Sequence, residues 1–283
     1  MLSNPRLTFR HSIALDVGTA WTRAANPKGG RFSIESQHSE APALTIHAKT
    51  SSKIIGGLLK ALRPHYFWRP GVVAAISTCA SVQERDLFTD TLYRSGAGRV
   101  TLVPQAFAAA VGAGLDPSND HAQMMIDIGE GFTELALVRS GKVTQSHSMQ
   151  FGCGTLKKVI AEHFPAASRR KPGPENVLHW LGHHSLGEAT RRRLIGEEPA
   201  AELRRQMATV ADESLRFFRS LPDQHACEVI ENGITLIGGG AMILDLRSQI
   251  AMRTGITIHV PANPLTSLIE GVAKVMPYAL MNA

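Results

Sequence analysis

Two turns in the chain repeat one pattern of aspartate and glycine. Asp16-Val17-Gly18-Thr19 follows the short apolar run Ser12–Leu15, and Asp127-Ile128-Gly129-Glu130-Gly131 follows Gln123–Ile126. Glycine lets a backbone approach a phosphate closely and turn its N–H groups outward as anion donors. An aspartate in such a turn repels phosphate, so its natural partner is a bound Mg²⁺ that bridges to the phosphate oxygens. Thr19 and Thr22 add hydroxyl donors at the first turn, and Thr133 does so at the second. A third turn, Gly238-Gly239-Gly240, follows Ile234–Ile237 and opens into a helical pattern, which would bring backbone amides and a helix N-terminus beside a nucleotide. Taken singly, each turn is an ordinary chain reversal. Their order, each after a short apolar strand, is far more specific and sets the expectation of a phosphate- and nucleotide-binding site.

The elements that position these turns alternate between two periods. After the first two turns the chain reads as a second strand, Trp21–Ala25 and Thr133–Val138, the latter closed by Ser140-Gly141. Helical periods run over Ser52–Leu62, Gln83–Ser95, Ala106–Gly112, Thr155–His163, Glu202–Leu221, Met242–Arg253 and Thr266–Met276. Gly71–Ser77 and Val100–Val103 read as strands. Asn26–Thr50 is irregular, and Phe164–Pro199 reads as a loop-rich insertion with one or two short helices. Strands alternating with helices predict an α/β fold. The strand, Asp-x-Gly, strand unit occurs twice, which predicts two related domains facing one another.

Composition narrows the function classes. At 283 residues with 43% hydrophobic content the chain can bury a core, so wholesale disorder is excluded. Thirty Lys+Arg against twenty-four Asp+Glu leave a surplus of +6 that is spread along the chain, so no nucleic-acid partner is called for. Phosphorylated ligands or an anionic membrane surface suit that surplus equally. Three separated cysteines form neither a disulfide framework nor a zinc site. With no apolar run near the length of a span and no signal-type start, a soluble cytoplasmic protein is expected, with peripheral membrane contact through the basic segments or Met1–Arg10 as the minority reading. His179, His183 and His184 have helical spacing but no fourth ligand nearby, which favours a solvated basic loop over zinc.

In this order the motifs resemble those of the actin-like ATPase superfamily, and within it the bacterial MreB family. The resemblance is carried by Asp16-Val-Gly-Thr-Ala-Trp-Thr22, by Val100-Thr-Leu-Val-Pro-Gln-Ala-Phe-Ala-Ala-Ala-Val-Gly-Ala-Gly114, by Ile126-Asp-Ile-Gly-Glu-Gly-Phe-Thr133, and by Leu236-Ile-Gly-Gly-Gly-Ala-Met242. It implies two RNase H-like domains with a nucleotide cleft between them, one over residues 1–116 with 264–283 returning to it, the other over 117–263. It implies ATP with Mg²⁺ held through water by Asp16 and Asp127. Gly18, Thr19, Gly129 and Gly131 would cradle phosphates, and Gly238, Gly239 and Gly240 would border the adenosine. Gln105 stands where the family orients the attacking water and, with Asp127, would form the catalytic pair. An amide positions water but is a poor base, so hydrolysis is expected to be weak or nil.

The departures from the family pattern bear on the same site. The chain is shorter than MreB between Asp16 and Val73 and again between Gly154 and Glu202, where the outer subdomains belong, so these are expected to be reduced or absent. Glu130 and Phe132 replace a glycine and a threonine, Gly154 replaces an acidic residue, and Leu178 and Trp180 fall where a Lys and a Glu grip the adenosine. Glu130 would oppose phosphate, whereas Trp180 offers a ring to stack on adenine. The resemblance implies a cytoskeletal role in cell shape or cell-wall organisation, through self-association or association with a full-length MreB-type protein. Two alternatives stay open: a small-molecule kinase or phosphohydrolase on the same fold, and a nucleotide-free scaffold.

Overall fold

A computed structural model describes residues 11–27, 31–35, 48–63, 69–116, 118–163 and 177–281. Met1–Arg10, the basic run Arg169-Arg170-Lys171 and much of the irregular stretch after Asn26 lie outside the described residues.

Each Asp-x-Gly turn closes a hairpin. In the first half β1 (Ser12–Val17) pairs antiparallel with β2 (Trp21–Ala25), which pairs with β3 (Arg31–Glu35). After helix α1 (Ala48–Leu62), strand β4 (Gly71–Ile76) returns parallel to β1. Helix α2 (Val82–Arg94) follows, started by a capping box in which Ser81 and Glu84 satisfy each other's backbone N–H groups. Strand β5 (Arg99–Pro104) then lies parallel to β4. The sheet order is β3-β2-β1-β4-β5.

The second half repeats this topology. Strands β6 (Gln123–Ile128), β7 (Thr133–Arg139) and β8 (Lys142–Met149) form the antiparallel part, and β9 (Ile234–Gly238) and β10 (Ile258–His259) the parallel part, in the order β10-β9-β6-β7-β8. Between β8 and β9 run α4 (Cys153–His163), α5 (Val177–His183), α6 (Leu186–Arg191), α7 (Glu197–Arg219) and α8 (Asp223–Asn232). A 3₁₀ turn over Gly239–Met242 leads from β9 into α9 (Leu244–Thr254), which ends on the left-handed Gly255. The two sheets are topological copies, so the duplicated turn marks a duplicated domain architecture, α/β throughout.

Strand alternation decides which helices cover which face. Ile13, Leu15, Val72 and Ala74 pack under α1 and α2. Ala14, Val73 and Ala75 face the other way, against α3 (Gln105–Gly112) and α10 (Ser267–Met281). In the second sheet Met124, Ile126, Leu135 and Leu137 join the large cluster built with α4–α9, while Met125, Ala136 and Val138 meet Ala106, Ala109 and Ala110 of α3. Helix α3 therefore lies between the two sheets, and α10 beside it brings the end of the described chain back onto the first one. The alanine-rich sequence of α3 keeps this middle layer thin.

Several elements differ from expectation. β3 was expected to be irregular, and β8, α8 and β10 carry no clear apolar period, because β8 alternates around polar side chains and α8 has Val229 as its buried residue. α10 continues past Met276 through Pro277, which removes one i→i−4 hydrogen bond inside the helix. The insertion Phe164–Pro199 carries the short helices α5 and α6, as its pattern allowed, but His179 and His183, expected in a solvated basic loop, lie on α5.

Candidate functional site

The two hairpin turns have the same internal geometry. Gly18 N–H donates to the Trp21 carbonyl at 2.9 Å, and Gly129 N–H donates to the Phe132 carbonyl at 2.9 Å. This places Asp16 and Asp127 at equivalent positions, and both line one cavity of about 1040 Å³ between the two halves. The turns face each other closely enough that a Cβ on Gly131 would lie 3.2 Å from Thr19 Oγ1. Gly18, Thr19, Gly129, Gly238 and Gly239 share the same cavity.

The carboxylates are held in contrasting ways. Arg23 sits directly across from Asp16 in the hairpin register, and its Nη1 approaches Asp16 Oδ2 at 3.5 Å. Burial pushes the Asp16 carboxyl up to about 6, with Arg23 pulling the other way. Across from Asp127 stands Glu134. Gln105, the first residue of α3, donates from Nε2 to Asp127 Oδ2 at 2.9 Å. Burial pushes Asp127 up to about 7; the Gln105 bond opposes this, and the charges of Glu134 and Asp16 reinforce it. Glu134 is itself tied to the first half, accepting from Ser77 Oγ at 2.8 Å and from Thr78 N–H at 3.2 Å, and burial raises its carboxyl too. The cavity floor is thus stitched across the halves by Gln105–Asp127 and Ser77–Glu134.

Glu130, expected to oppose phosphate, is neutralised in place. Lys157 of α4 donates to both of its carboxylate oxygens, at 2.9 and 2.8 Å. A larger residue than glycine at 154 would crowd that carboxylate, since a Cβ there would come 3.3 Å from Glu130 Oε1. Cys153 beside it is buried, and burial pushes its thiol up to about 12, which keeps it inert.

Four of the expected contact residues stand away from the cavity wall. Thr22 and Thr133 are buried one position along their strands from Arg23 and Glu134, on the opposite face. The Thr133 hydroxyl is spent on the Phe151 carbonyl at 3.0 Å. Gly240 is buried against the Ile128 side chain and serves packing. Gly131 supports the turn beside Thr19 without lining the cavity. Trp180 corrects the expectation of a ring on the adenine: it packs against the large core cluster and tilts onto His184 at 5.5 Å. Leu178, His179, Gly182 and His183 form the cleft-facing side of α5 instead, with the two imidazoles stacked at 4.1 Å. Arg23, Glu134 and Lys157 were not singled out from the sequence, and His179 and His183 were weighed only as zinc ligands. A charged residue directly after the threonine of each mainly apolar second strand was the available signal for the first two.

Among the described residues no cluster of three or more His, Cys, Asp or Glu side chains is arranged to hold a metal ion. Two facing aspartates suit a divalent ion bound through water, but on the Asp16 side the Arg23 guanidinium stands 3.5 Å from the carboxylate and its charge opposes a second cation there. A divalent ion fits that side of the cleft poorly.

Gly238 joins the third turn to this pair. Its φ of +79° is one that L side chains rarely adopt, and a Cβ there would collide with the Ile128 carbonyl and Asp127 Oδ1. Gly238→Ala is expected to cost about 2–3 kcal/mol and to displace the Asp127 carboxylate, read as a lowered thermal midpoint.

The family model for MreB/Mbl protein matches residues 46–167 and 182–281. The chain belongs to the MreB/Mbl family. The cell shape-determining protein MreB of Escherichia coli K12 is 26% identical over 251 residues, covering 80% of this chain and 71% of that protein. The cell shape-determining protein Mbl of Bacillus subtilis 168 is 22% identical over 224 residues, covering 72% and 67%. The fold matches MreB5 of Spiroplasma citri, solved with AMPPNP, at a TM-score of 0.80 and 18% identity over 96% of this chain and 97% of that one. It also matches MamK in its double helical filament, at a TM-score of 0.70 and 12% identity over 94% and 98%. This MreB/Mbl chain thus has the actin-like fold. Among its described residues no helix is long and apolar enough to cross a membrane.

Proposed function

We propose that this chain is a nucleotide-binding cytoskeletal protein that acts in cell-shape or cell-wall organisation, by self-association or by joining filaments of a full-length MreB-type relative. The observation that carries the reading is the convergence of two equivalent Asp-x-Gly hairpins on one cavity. In this reading the phosphate tail of ATP lies against the two turns, beside Thr19, with the Gly18 and Gly129 N–H groups holding the hairpins closed rather than binding phosphate. The base lies toward Gly238, Gly239, Met242 and the cleft face of α5. The E. coli and B. subtilis relatives bear the name cell shape-determining protein, and MamK, of the same fold, is solved as a filament.

Hydrolysis is slow in this reading. Gln105 carries no basic oxygen that could take a proton efficiently, and its amide nitrogen is already engaged with Asp127. Gln105 therefore positions water while Asp127 holds the amide in place.

Sedimentation tests the reading. Purified protein is expected to pellet weakly alone with ATP, and more strongly when a full-length MreB-type partner is present. Equal pelleting with and without the partner removes the co-assembly form of the proposal. Pelleting that ignores nucleotide altogether removes its link to the cleft.

A further inference from the structure

The two halves of the cleft are copies in topology but not in charge. The residue facing Asp16 across the first hairpin is Arg23, whereas the residue facing Asp127 across the second is Glu134. Glu134 is turned into hydrogen bonds with Ser77 and Thr78. Arg23 has a different situation. It is fixed on a strand rather than a loop, its guanidinium stands 6.0 Å over the Trp21 ring, and it lines the cavity. Its side-chain hydrogen bond to Asp16, at 3.5 Å, is long and engages a single nitrogen of a group that carries five donors. Lys157, the other Lys or Arg lining the cavity, is bound through both oxygens of Glu130.

We propose that Arg23 takes the part of a divalent cation on the Asp16 side of the cleft, bridging that carboxylate to the phosphates of a bound nucleotide, so that nucleotide binding does not depend on Mg²⁺. The inference rests on the nucleotide reading of the cleft. A guanidinium matches phosphate oxygens in a planar fork and keeps its charge at every accessible pH. It also repels a divalent ion placed a few ångströms away, most strongly where water is scarce. The arginine thus both supplies the bridge and discourages its usual occupant. Its influence extends to the facing carboxyl, since Arg23 lowers Asp127 as well as Asp16.

The test is ATP titration of the wild-type protein by calorimetry, in excess EDTA and in saturating Mg²⁺. The dissociation constants are expected to agree within ~3-fold. Arg23→Leu is expected to lose ~10-fold or more in EDTA and to recover most of that with Mg²⁺, while Arg23→Lys keeps part of the EDTA binding. Wild-type binding that weakens ~10-fold or more in EDTA overturns this inference and leaves the nucleotide reading intact. No binding in either medium overturns both. The wild-type comparison stands by itself if Arg23→Leu, which strands Asp16, does not fold.

Discussion

Gly271→Val is expected to leave the chain without a cooperative thermal transition. Gly271 lies on α10 where that helix crosses α3, and a Cβ there would collide with the Ala108 carbonyl. The contact is reciprocal, because a Cβ on Gly112 would collide with the Ser267 carbonyl and the Gly271 amide. Both obstacles are backbone, so no rotamer change relieves them, and the helices must move apart. They cannot part cheaply. Helix α3 is packed on the first sheet through Ala108 and on the second through Ala106, Ala109 and Ala110, and Val272, Val275 and Met276 of α10 fill the first interface. Separation opens both interfaces at once. Overpacking of this kind costs upward of ~4 kcal/mol, a large part of the ~5–15 kcal/mol that holds a domain together. Gly271→Ala sharpens the test. On helix propensity alone it gains about 1 kcal/mol, so the crossing predicts a loss where propensity predicts a gain. A melting temperature for Gly271→Ala at or above wild type would refute the close crossing.

The duplicated hairpins were legible in the sequence because each combines an apolar strand with a turn that only a few residues can make. Asp16 and Asp127, with Gly18 and Gly129 two positions on, mark both turns without reference to anything distant. The threonines show where that local reading stops. Thr22 and Thr133 carry the right donor chemistry, yet strand alternation turns them inward and gives the cleft face to Arg23 and Glu134. That outcome follows from the register of pairing, in which Asp16 faces Arg23 and Asp127 faces Glu134, and a register exists only once the hairpin is built. The partners of Glu134 are more remote still. Ser77 and Thr78 reach it across the halves, through contacts that no periodicity in either segment encodes. Helix α5 was obscured for a third reason. Its short run Val177–His183 mixes buried Val177 and Leu181 with imidazoles that face the cleft, so its apolar stripe is too brief to show a period. The close α3–α10 crossing was hidden as well, since Gly112 and Gly271 are ordinary helix glycines until they are found against each other.

Asp127→Asn is expected to stabilise the nucleotide-free protein at pH 8 while removing the residue that anchors Gln105 by charge. The carboxyl titrates at about 7 in the fold against an ordinary 3.8, burial being the main cause. Its folded value is therefore raised. Below 3.8 both folded and unfolded chains hold the proton, and the residue has no pH-linked effect. Between 3.8 and about 7 the folded chain holds the proton and the unfolded chain does not, so stability falls as pH rises. Above about 7 the full cost of the buried charge is in place. Taken whole, that difference would be about 4 kcal/mol; hydration from the open cleft reduces the expected gain from asparagine to about 1–3 kcal/mol, or roughly 3–9 °C in the melting temperature. The gain should shrink steadily toward pH 4, which separates a charge effect from a packing effect, since asparagine has nearly the shape of aspartate and still offers an oxygen to Gln105 Nε2. Asp16→Asn supplies the contrast. Burial raises Asp16 less, to about 6, and neutralising it strands the Arg23 guanidinium, so its stabilising effect should be smaller or reversed. A gain from Asp127→Asn that is equal at pH 5 and pH 8, or a larger gain from Asp16→Asn, would show that Arg23 does not divide the two aspartates in this way. The charged pair is thus kept at a cost to the fold, and the hairpin whose aspartate faces Glu134 rather than an arginine bears more of it.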